Sequence, residues 1–311
     1  MSSSHAAGLG APVLSEVAAD VFAYVQPDGT WWINNTGLLV GPHAAVAVDT
    51  CATEARTRAF LAAAATATPR PVRTLVNTHH HGDHTHGNWL LRDATIVAHT
   101  ATRTAMAEAG IWRDPPFWTP FDLGQVELEP PSLTFDDAVT LWVGDLRCEV
   151  RHVGGPAHTT NDSIVWIPDR GVLFAGDLLF SGGTPFVLMG SVLGSIRVLE
   201  QVLAPLQAQT VVAGHGPVCG PEVIDQVLGY LRFVRDLAQR GREAGLTPLT
   251  LAREADLGEY AGWHDAERIV GNLHRAYADL GGAVLGAPID VVGALGDMVT
   301  YNGGRPLTCL A

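Results

Sequence analysis

The sequence predicts a mixed α/β fold that carries a helical extension at its C-terminus. Two stretches, about 13–110 and 132–220, each run several short apolar segments and then a helix-like segment. One of those apolar segments, 72–76, leads directly into a loop crowded with histidine. Beyond Gly220 the pattern changes, and Val223, Val227, Leu231, Val234 and Ala238 recur at three- and four-residue spacing. The chain has 311 residues, 47% of them hydrophobic, enough for one large core with an appendage.

In chain order, residues 1–12 are rich in Ser, Ala, Gly and Pro and are expected to be a disordered N-terminus. Residues 21–25, 36–40 and 44–48 read as strands, separated by turns at Pro27-Asp28-Gly29 and Gly41-Pro42-His43. The alanine-rich run 53–67 reads as a helix that ends before Pro69. A strand at 72–76 precedes the histidine loop, 95–98 is a further strand and 100–109 a helix. Residues 112–131 break the rhythm, because Pro115-Pro116, Pro120 and Pro130-Pro131 interrupt regular structure between Trp112, Phe117, Trp118 and Phe121. This segment is either a loop pinned by aromatic packing or the wall of a pocket.

Strands resume at 139–143, 146–153, 163–167 and 172–175, with Pro168-Asp169-Arg170-Gly171 as a hairpin turn. A helix near 195–204 and a strand at 210–213 follow. Pro221 opens the extension, 221–311, at a first helical position. A second helix is expected from Thr247-Pro248 and a third from Asp265, with Ile269, Leu273, Ala276, Tyr277 and Leu280 on one face. The tail from Ala287 is apolar and Gly-rich; it can cover the domain, a pocket mouth or a neighbouring copy in a homo-oligomer.

Composition narrows the function. The formal net charge is -13 and every basic residue is arginine, which disfavours binding to a phosphate backbone; no nucleic-acid partner is expected. Cys51, Cys148, Cys219 and Cys309 are widely spaced without a Cys-x-x-Cys pair, as expected of free thiols in a cytoplasmic protein. No leader-like start and no spanning apolar run is visible, so no membrane partner is expected.

The chemistry concentrates at Thr78-His79-His80-His81-Gly82-Asp83-His84. Of the 13 histidines, His79, His80, His81, His84 and His86 all fall between positions 79 and 86. Neutral imidazole and carboxylate are the donors that borderline divalent metals such as zinc prefer. Further candidates each follow an apolar run: His158 in Gly154-Gly155-Pro156-Ala157-His158, Asp177 in Phe174-Ala175-Gly176-Asp177, and His215 in Ala213-Gly214-His215-Gly216. Ends of strands are where open sheets place their chemistry, and the glycines allow sharp turns and close backbone approach. His80 and His86 are spare, either supporting the ligands or simply exposed. His5, His43, His99, His264 and His274 read as structural or surface residues, and His152 is left open between lining the site and not. Trp31 and Trp32, read as strand neighbours, would face opposite sides.

This ordered set resembles the metallo-β-lactamase superfamily across about 13–220. The resemblance implies a four-layer αββα sandwich with a dinuclear metal site at one edge, most simply two Zn2+ ions. It implies that His79, His81 and His158 hold one ion and that Asp83, His84 and His215 hold the other, with Asp177 bridging. Asp49, in Val48-Asp49-Thr50, would support the site from behind. Histidine at position 81, where iron-dependent electron-transfer members carry a carboxylate, favours hydrolysis. Asp83 and Asp177 are the expected catalytic residues. Two ions that share an activated water suit ester, thioester, lactone or lactam hydrolysis, and also enolate chemistry.

A closer resemblance rests on Gln26-Pro27-Asp28-Gly29-Thr30-Trp31-Trp32-Ile33-Asn34-Asn35, on Gly183-Thr184-Pro185-Phe186-Val187-Leu188-Met189-Gly190-Ser191 and on Met298-Val299-Thr300-Tyr301-Asn302-Gly303-Gly304. Together these segments are similar to the metallo-β-lactamase-type cyclase/thioesterases of aromatic polyketide pathways, the actinorhodin-type group. The resemblance implies closure of a second ring on a poly-β-ketone held by an acyl carrier protein, then thioester hydrolysis, as a step of antibiotic biosynthesis. Trp31, Trp32, Phe117, Trp118, Phe180 and Phe186 would form an aromatic wall for a flat substrate. Arg232, Arg235, Arg240 and Arg242 are candidates for docking an acidic carrier protein, or else an ordinary solvated helix face. The alternative is a small-molecule thioesterase or lactonase, glyoxalase II-like, of general metabolism; the phosphate- or glutathione-holding basic cluster it would want is not visible.

Overall fold

The computed structural model describes residues 9–113 and 116–311. His5, most of the expected disordered N-terminus, and Asp114 and Pro115 of the Pro-rich segment lie outside the described residues.

The first half builds strands β1 (Val13–Ala18), β2 (Val21–Val25), β3 (Thr36–Val40) and β4 (Ala45–Val48), helix α1 (Glu54–Ala67) and strand β5 (Val72–Val76). It continues with α2 (Gly82–Thr85), β6 (Thr95–His99), α3 (Thr100–Ala109) and β7 (Leu133–Phe135). The seven strands lie in chain order, antiparallel from β1 to β4 and parallel from β4 to β7. α1 starts at a Thr53 cap that accepts from the Arg56 amide, and it makes the crossover that the parallel β4–β5 pair requires.

The second half builds β8 (Ala138–Val143), β9 (Leu146–His152), β10 (Ser163–Ile167), β11 (Val172–Phe180), α4 (Val192–Val198) and β12 (Thr210–His215), in the sheet order β12-β11-β10-β9-β8. The extension adds α5 (Glu222–Glu243), α6 (Pro248–Glu254), α7 (Arg268–Leu280) and α8 (Val291–Tyr301). None of the described helices is long and apolar enough to cross a membrane.

Side-chain alternation converts these elements into four layers. In β3, Leu38 packs outward with Phe60 and Ala64 of α1, while Leu39 packs inward with Val46, Val150 and Phe174. In β11 the same alternation sends Phe174 inward and Leu173 outward, towards Val227 and Leu231 of α5 and Ile269 and Leu273 of α7. The Phe174 ring lies directly on Gly37, where a Cβ would collide with it. The result is the expected αββα sandwich, with its C-terminal helices sharing the outer core of the second sheet.

Two local expectations are corrected. β11 does not stop at 175 but runs on to Phe180, so Asp177 lies within the strand, next to Gly176 at φ +52°. Trp31 and Trp32 are not strand neighbours: they sit in a turn, and Trp32 has φ +67°. The turn aims both rings into one cavity. The tail covers its own domain. Ala294, Leu295 and Met298 are buried in the core, and the last residues pair with the aromatic loop through Leu307 N–H to Phe117 O and Thr119 N–H to Leu307 O, both 2.8 Å.

Candidate metal centre

The parallel order of β4 and β5 brings their C-terminal ends to one edge, so Asp49 and the 77–81 loop emerge side by side. β11 and β12 are also parallel and bring Asp177 and His215 to the same edge of the second sheet. His158 arrives on the loop between β9 and β10. Backbone bonds clamp the two sheets together there: Asn35 N–H to Gly214 O at 2.7 Å and Ser163 N–H to Thr78 O at 2.8 Å. The Asn35 amide also donates to Gly216 O at 2.6 Å.

Two groups of side chains converge at this edge. His79, His81, His158 and Asp177 form one, and Asp83, His84, Asp177 and His215 the other; within each, the donor atoms lie within 4.8 Å of one another. Asp177 belongs to both. Its Oδ1 is 3.0 Å from His84 Nε2, and its Oδ2 is 3.4 Å from His158 Nε2 and 3.3 Å from His215 Nε2. Asp83 Oδ2 is 3.3 Å from His215 Nε2. All seven residues expected from the sequence are therefore brought together.

The far nitrogens are anchored. His84 Nδ1 meets Asp49 Oδ2 at 2.9 Å, His215 Nδ1 meets Gly29 O at 3.1 Å, and His158 Nδ1 meets Phe186 O. Such contacts set the tautomer and ring orientation of a ligating histidine. Asp49 also accepts from Thr78 N–H and Thr78 Oγ1, both at 2.8 Å. Its backbone is left-handed, φ +59°, a conformation that Asp tolerates.

The donors fit a pair of divalent cations. Nε2 of His79 and His81 are buried without hydrogen-bond partners, an arrangement costly unless something else satisfies them. Burial, reinforced by neighbouring histidines, holds the His79 and His81 imidazoles well below their ordinary range, in the neutral form that binds metal. Burial would do the same to His84 and His215, but the carboxylates overcome it. Asp177, Asp49 and Asp83 raise His84 well above its ordinary range, and Asp177 and Asp83 push His215 up to about 9. Burial would raise the two carboxyls, yet His84 and His215 hold both Asp83 and Asp177 below the usual carboxylate range. The buried carboxylates thus call for cationic charge, which divalent ions also supply.

The cluster opens into a cavity of about 360 Å³. Trp31, Trp32, Trp118, Phe180 and Phe186 line it as expected. Phe117 does not: it lies behind the wall, edge-on to Trp112 and Trp118. His80, half-buried, and His86 are wall residues rather than spare ones; His86 stacks on Trp32 at 6.0 Å. His152 is away from the cavity, stacked on His99 at 3.9 Å. Of the arginines on α5, Arg232 bonds Glu200 at 2.6 Å, Arg235 bonds Asp236 at 2.7 Å and Arg242 donates to Tyr277 O, so these three do not stand as an open cationic patch.

Met106, Leu128, Met189 and Arg268 also line the cavity and were not expected there, Met189 having been quoted only within the 183–191 segment. The apolar three carry no signal that separates a wall from a core. Arg268 did carry one: it and Arg275 lie seven residues apart, beside the apolar face of α7, and both are 1% exposed.

An αββα sandwich with paired His/Asp groups at its edge defines a class of metallo-hydrolases, and the comparisons specify which. The sequence profile of the metallo-beta-lactamase superfamily matches residues 29–215, and the chain belongs to that superfamily. It is 24% identical over 221 residues to a metallo-beta-lactamase type 2 from Bacteroides fragilis, covering 68% of this chain and 82% of that one. It is 30% identical over 136 residues to a hydroxyacylglutathione hydrolase from Methylococcus capsulatus, covering 44% of each. Among solved structures, a metallo-beta-lactamase from Pontibacter korlensis superposes with a TM-score of 0.61 at 19% identity, over 71% of this chain and 99% of the other. One from Erythrobacter litoralis gives 0.58 at 20%, over 72% and 99%. These structural likenesses establish the fold.

Proposed function

We propose that the protein is a dinuclear-metal thioesterase acting on an aromatic, polyketide-type acyl thioester, and that the same site closes a ring on the acyl chain before release. The observation that carries this reading is the cavity: a tryptophan- and phenylalanine-walled space beside the His/Asp cluster, large enough for a multi-ring acyl group. Trp31, Trp32 and Trp118 meet edge-on at 5.2 and 5.7 Å, leaving flat apolar faces for a planar ligand.

His79, His81 and His158 would hold one ion, and Asp83, His84 and His215 the other, with Asp177 shared. When bound, the ions, most simply zinc, supply Lewis-acid polarisation of the acyl carbonyl and acidify a water to near neutrality. The protein's own groups do the rest. Asp83, held ionised by His84 and His215, takes a proton from water as the water adds to the thioester carbonyl, and returns it to the departing thiolate. For ring closure, Asp83 takes a proton from a methylene between two ketones. The resulting carbanion adds to a carbonyl further along the chain, and the proton returns to the new alkoxide. The aromatic wall presses the chain into a folded shape and excludes bulk water. Delivery on an acyl carrier protein in the cytoplasm belongs to the same proposal.

A second reading is favoured by one comparison. The hydroxyacylglutathione hydrolase relative bears the name of a small-thioester hydrolase, and a glyoxalase II-like role would share the whole metal site. The apolar cavity argues for the first reading. The deciding experiment compares N-acetylcysteamine thioesters of bicyclic aromatic acids with S-lactoylglutathione and with a chromogenic cephalosporin, on zinc-loaded protein. The proposal expects kcat/KM for the aromatic thioester to exceed the others by ~100-fold, the order that apolar pocket contacts provide. Faster turnover of S-lactoylglutathione would replace it with the second reading.

A further inference from the structure

Among the described residues, Arg268 is the one arginine on the wall of the cavity. It stands in the first turn of α7, where the helix dipole disfavours a cation. It is also 1% exposed, so its charge is almost wholly withdrawn from water. The guanidinium lies over the Trp31 ring at 4.0 Å, with the Phe180 ring at 5.0 Å. Glu267 next to it accepts from the Trp31 indole N–H at 2.7 Å, so the start of α7 grips this tryptophan by its edge and its face.

The bonds of Arg268 leave capacity over. Nη1 donates to Thr184 O at 2.9 Å and Nη2 faces Asp265 Oδ2 at 2.7 Å, while Nε has no partner. A guanidinium carries five N–H donors. Arg275, equally buried on the same helix, shows the structural use of such a residue: it donates to Leu188 O and Ala287 O, both at 2.9 Å, and does not line the cavity. Arg268 instead joins the wall that also contains Asp177 and His215.

We infer that Arg268 is the specificity-determining residue for the distal part of the substrate, donating to a ketone or phenolate oxygen of the acyl group while its reactive carbonyl lies at the His/Asp cluster. This inference rests on the aromatic-thioester reading above. A planar fork packed on two aromatic rings is held in a fixed plane and donates within it to an oxygen at the edge of a flat ligand. The adjacent Asp265 balances the charge. The site is therefore near neutral, suited to an oxygen with partial or shared negative charge rather than to a strong anion. Burial pushes the Asp265 carboxyl up to about 6 against the pull of Arg268, consistent with an ion pair held away from water. The consequence for the reaction is register: a chain of alternating ketones offers several equivalent carbonyls, and one fixed donor selects which of them reaches the cluster.

The test uses N-acetylcysteamine thioesters of naphthoic acid and of a set of hydroxynaphthoic acids differing in hydroxyl position. Binding is read by tryptophan fluorescence on chelator-treated full-length protein, and turnover on zinc-loaded protein. Wild type should bind one hydroxylated isomer at least about tenfold more tightly than the parent, as a charge-assisted hydrogen bond provides. Arg268→Met should abolish that preference, read as the ratio of the isomer's Kd to the parent's Kd in the same variant; Arg268→Lys should keep part of it. Asp265→Asn, which leaves Arg268 in place and tolerates the φ of +55°, should widen it. A folded Arg268→Met protein with an unchanged preference overturns the inference. If the Arg268 variants do not fold, an unchanged preference in Asp265→Asn overturns it. An Arg268-dependent preference in binding, without turnover of any of these thioesters, upholds the inference and removes the proposed function.

Discussion

Replacing Asp49 with Asn should strip the protein of one ion and leave the other. Asp49 makes three contacts: Thr78 N–H and Thr78 Oγ1 at 2.8 Å, and His84 Nδ1 at 2.9 Å. Asparagine keeps one acceptor for the Thr78 amide and tolerates the left-handed backbone, so the loop survives. Its amide group, however, turns a donor towards His84 Nδ1. That nitrogen must then accept, its proton moves to Nε2, and Nε2 is the atom facing Asp83 and Asp177. A lost charge-assisted bond is worth about 1.5–3 kcal/mol, or roughly 10- to 150-fold in affinity, in line with what outer partners of metal ligands contribute. Titration of chelator-treated protein with zinc against a chromogenic chelator reads both sites. One site should weaken by that factor while the His79–His81–His158 site changes by less than about threefold. Two unchanged affinities would refute the reasoning, as would selective loss at the His79 site. Asp49→Ala is the contrasting case. It leaves the Thr78 amide, the Thr78 hydroxyl and His84 Nδ1 buried without an acceptor, at about 1–3 kcal/mol each, and should lower the melting temperature sharply.

Gly214→Ala should damage both the site and the β11–β12 pairing, because a Cβ there collides with Asp177 Oδ1 and with the Gly176 backbone; zinc-dependent hydrolysis should fall by ~100-fold and the melting temperature should drop. Removing residues 306–311 deletes the Leu307 and Thr119 bonds behind Trp118 and the buried Leu307 and Cys309, so KM for aromatic thioesters should rise with metal stoichiometry unchanged. Denaturant titration of that truncation should show a loss of about 2–4 kcal/mol. Asp265→Asn should alter the pH dependence of stability. The Asp265 carboxyl is raised from 3.8 to about 6, so it favours the folded state most below pH 4, and that benefit fades as pH rises through 6. Relative to the Asn variant, wild type should therefore lose about 2 kcal/mol between pH 4 and 7 by chemical denaturation; a parallel pair of pH profiles would contradict this.

The His/Asp cluster was readable in the sequence because its signals are local. His79, His81, Asp83 and His84 sit within six residues of chain, and His158, Asp177 and His215 each carry a glycine nearby. Most strands and helices were readable for the same reason, since alternation and three- to four-residue spacing are properties of neighbours in the chain. The cavity was less so. Trp31 and Trp32 were expected on opposite faces, and the turn that points both inward depends on the positive φ at Trp32. Phe117 was expected on the wall, but its place behind Trp112 and Trp118 depends on how the loop is held by Leu307, some 190 residues away.

Residue types and their short-range spacing were enough to read most elements and the His/Asp candidates, and the resemblance those residues carry gave the superfamily, because donor chemistry and periodicity are written into adjacent positions. The strand order within the two sheets, the turning of Trp31 and Trp32 into one cavity and the arrival of Arg268 from α7 beside Trp31 were decided only in three dimensions. Each depends on contacts between segments far apart in the chain, whose pairing follows from packing both faces of both sheets at once.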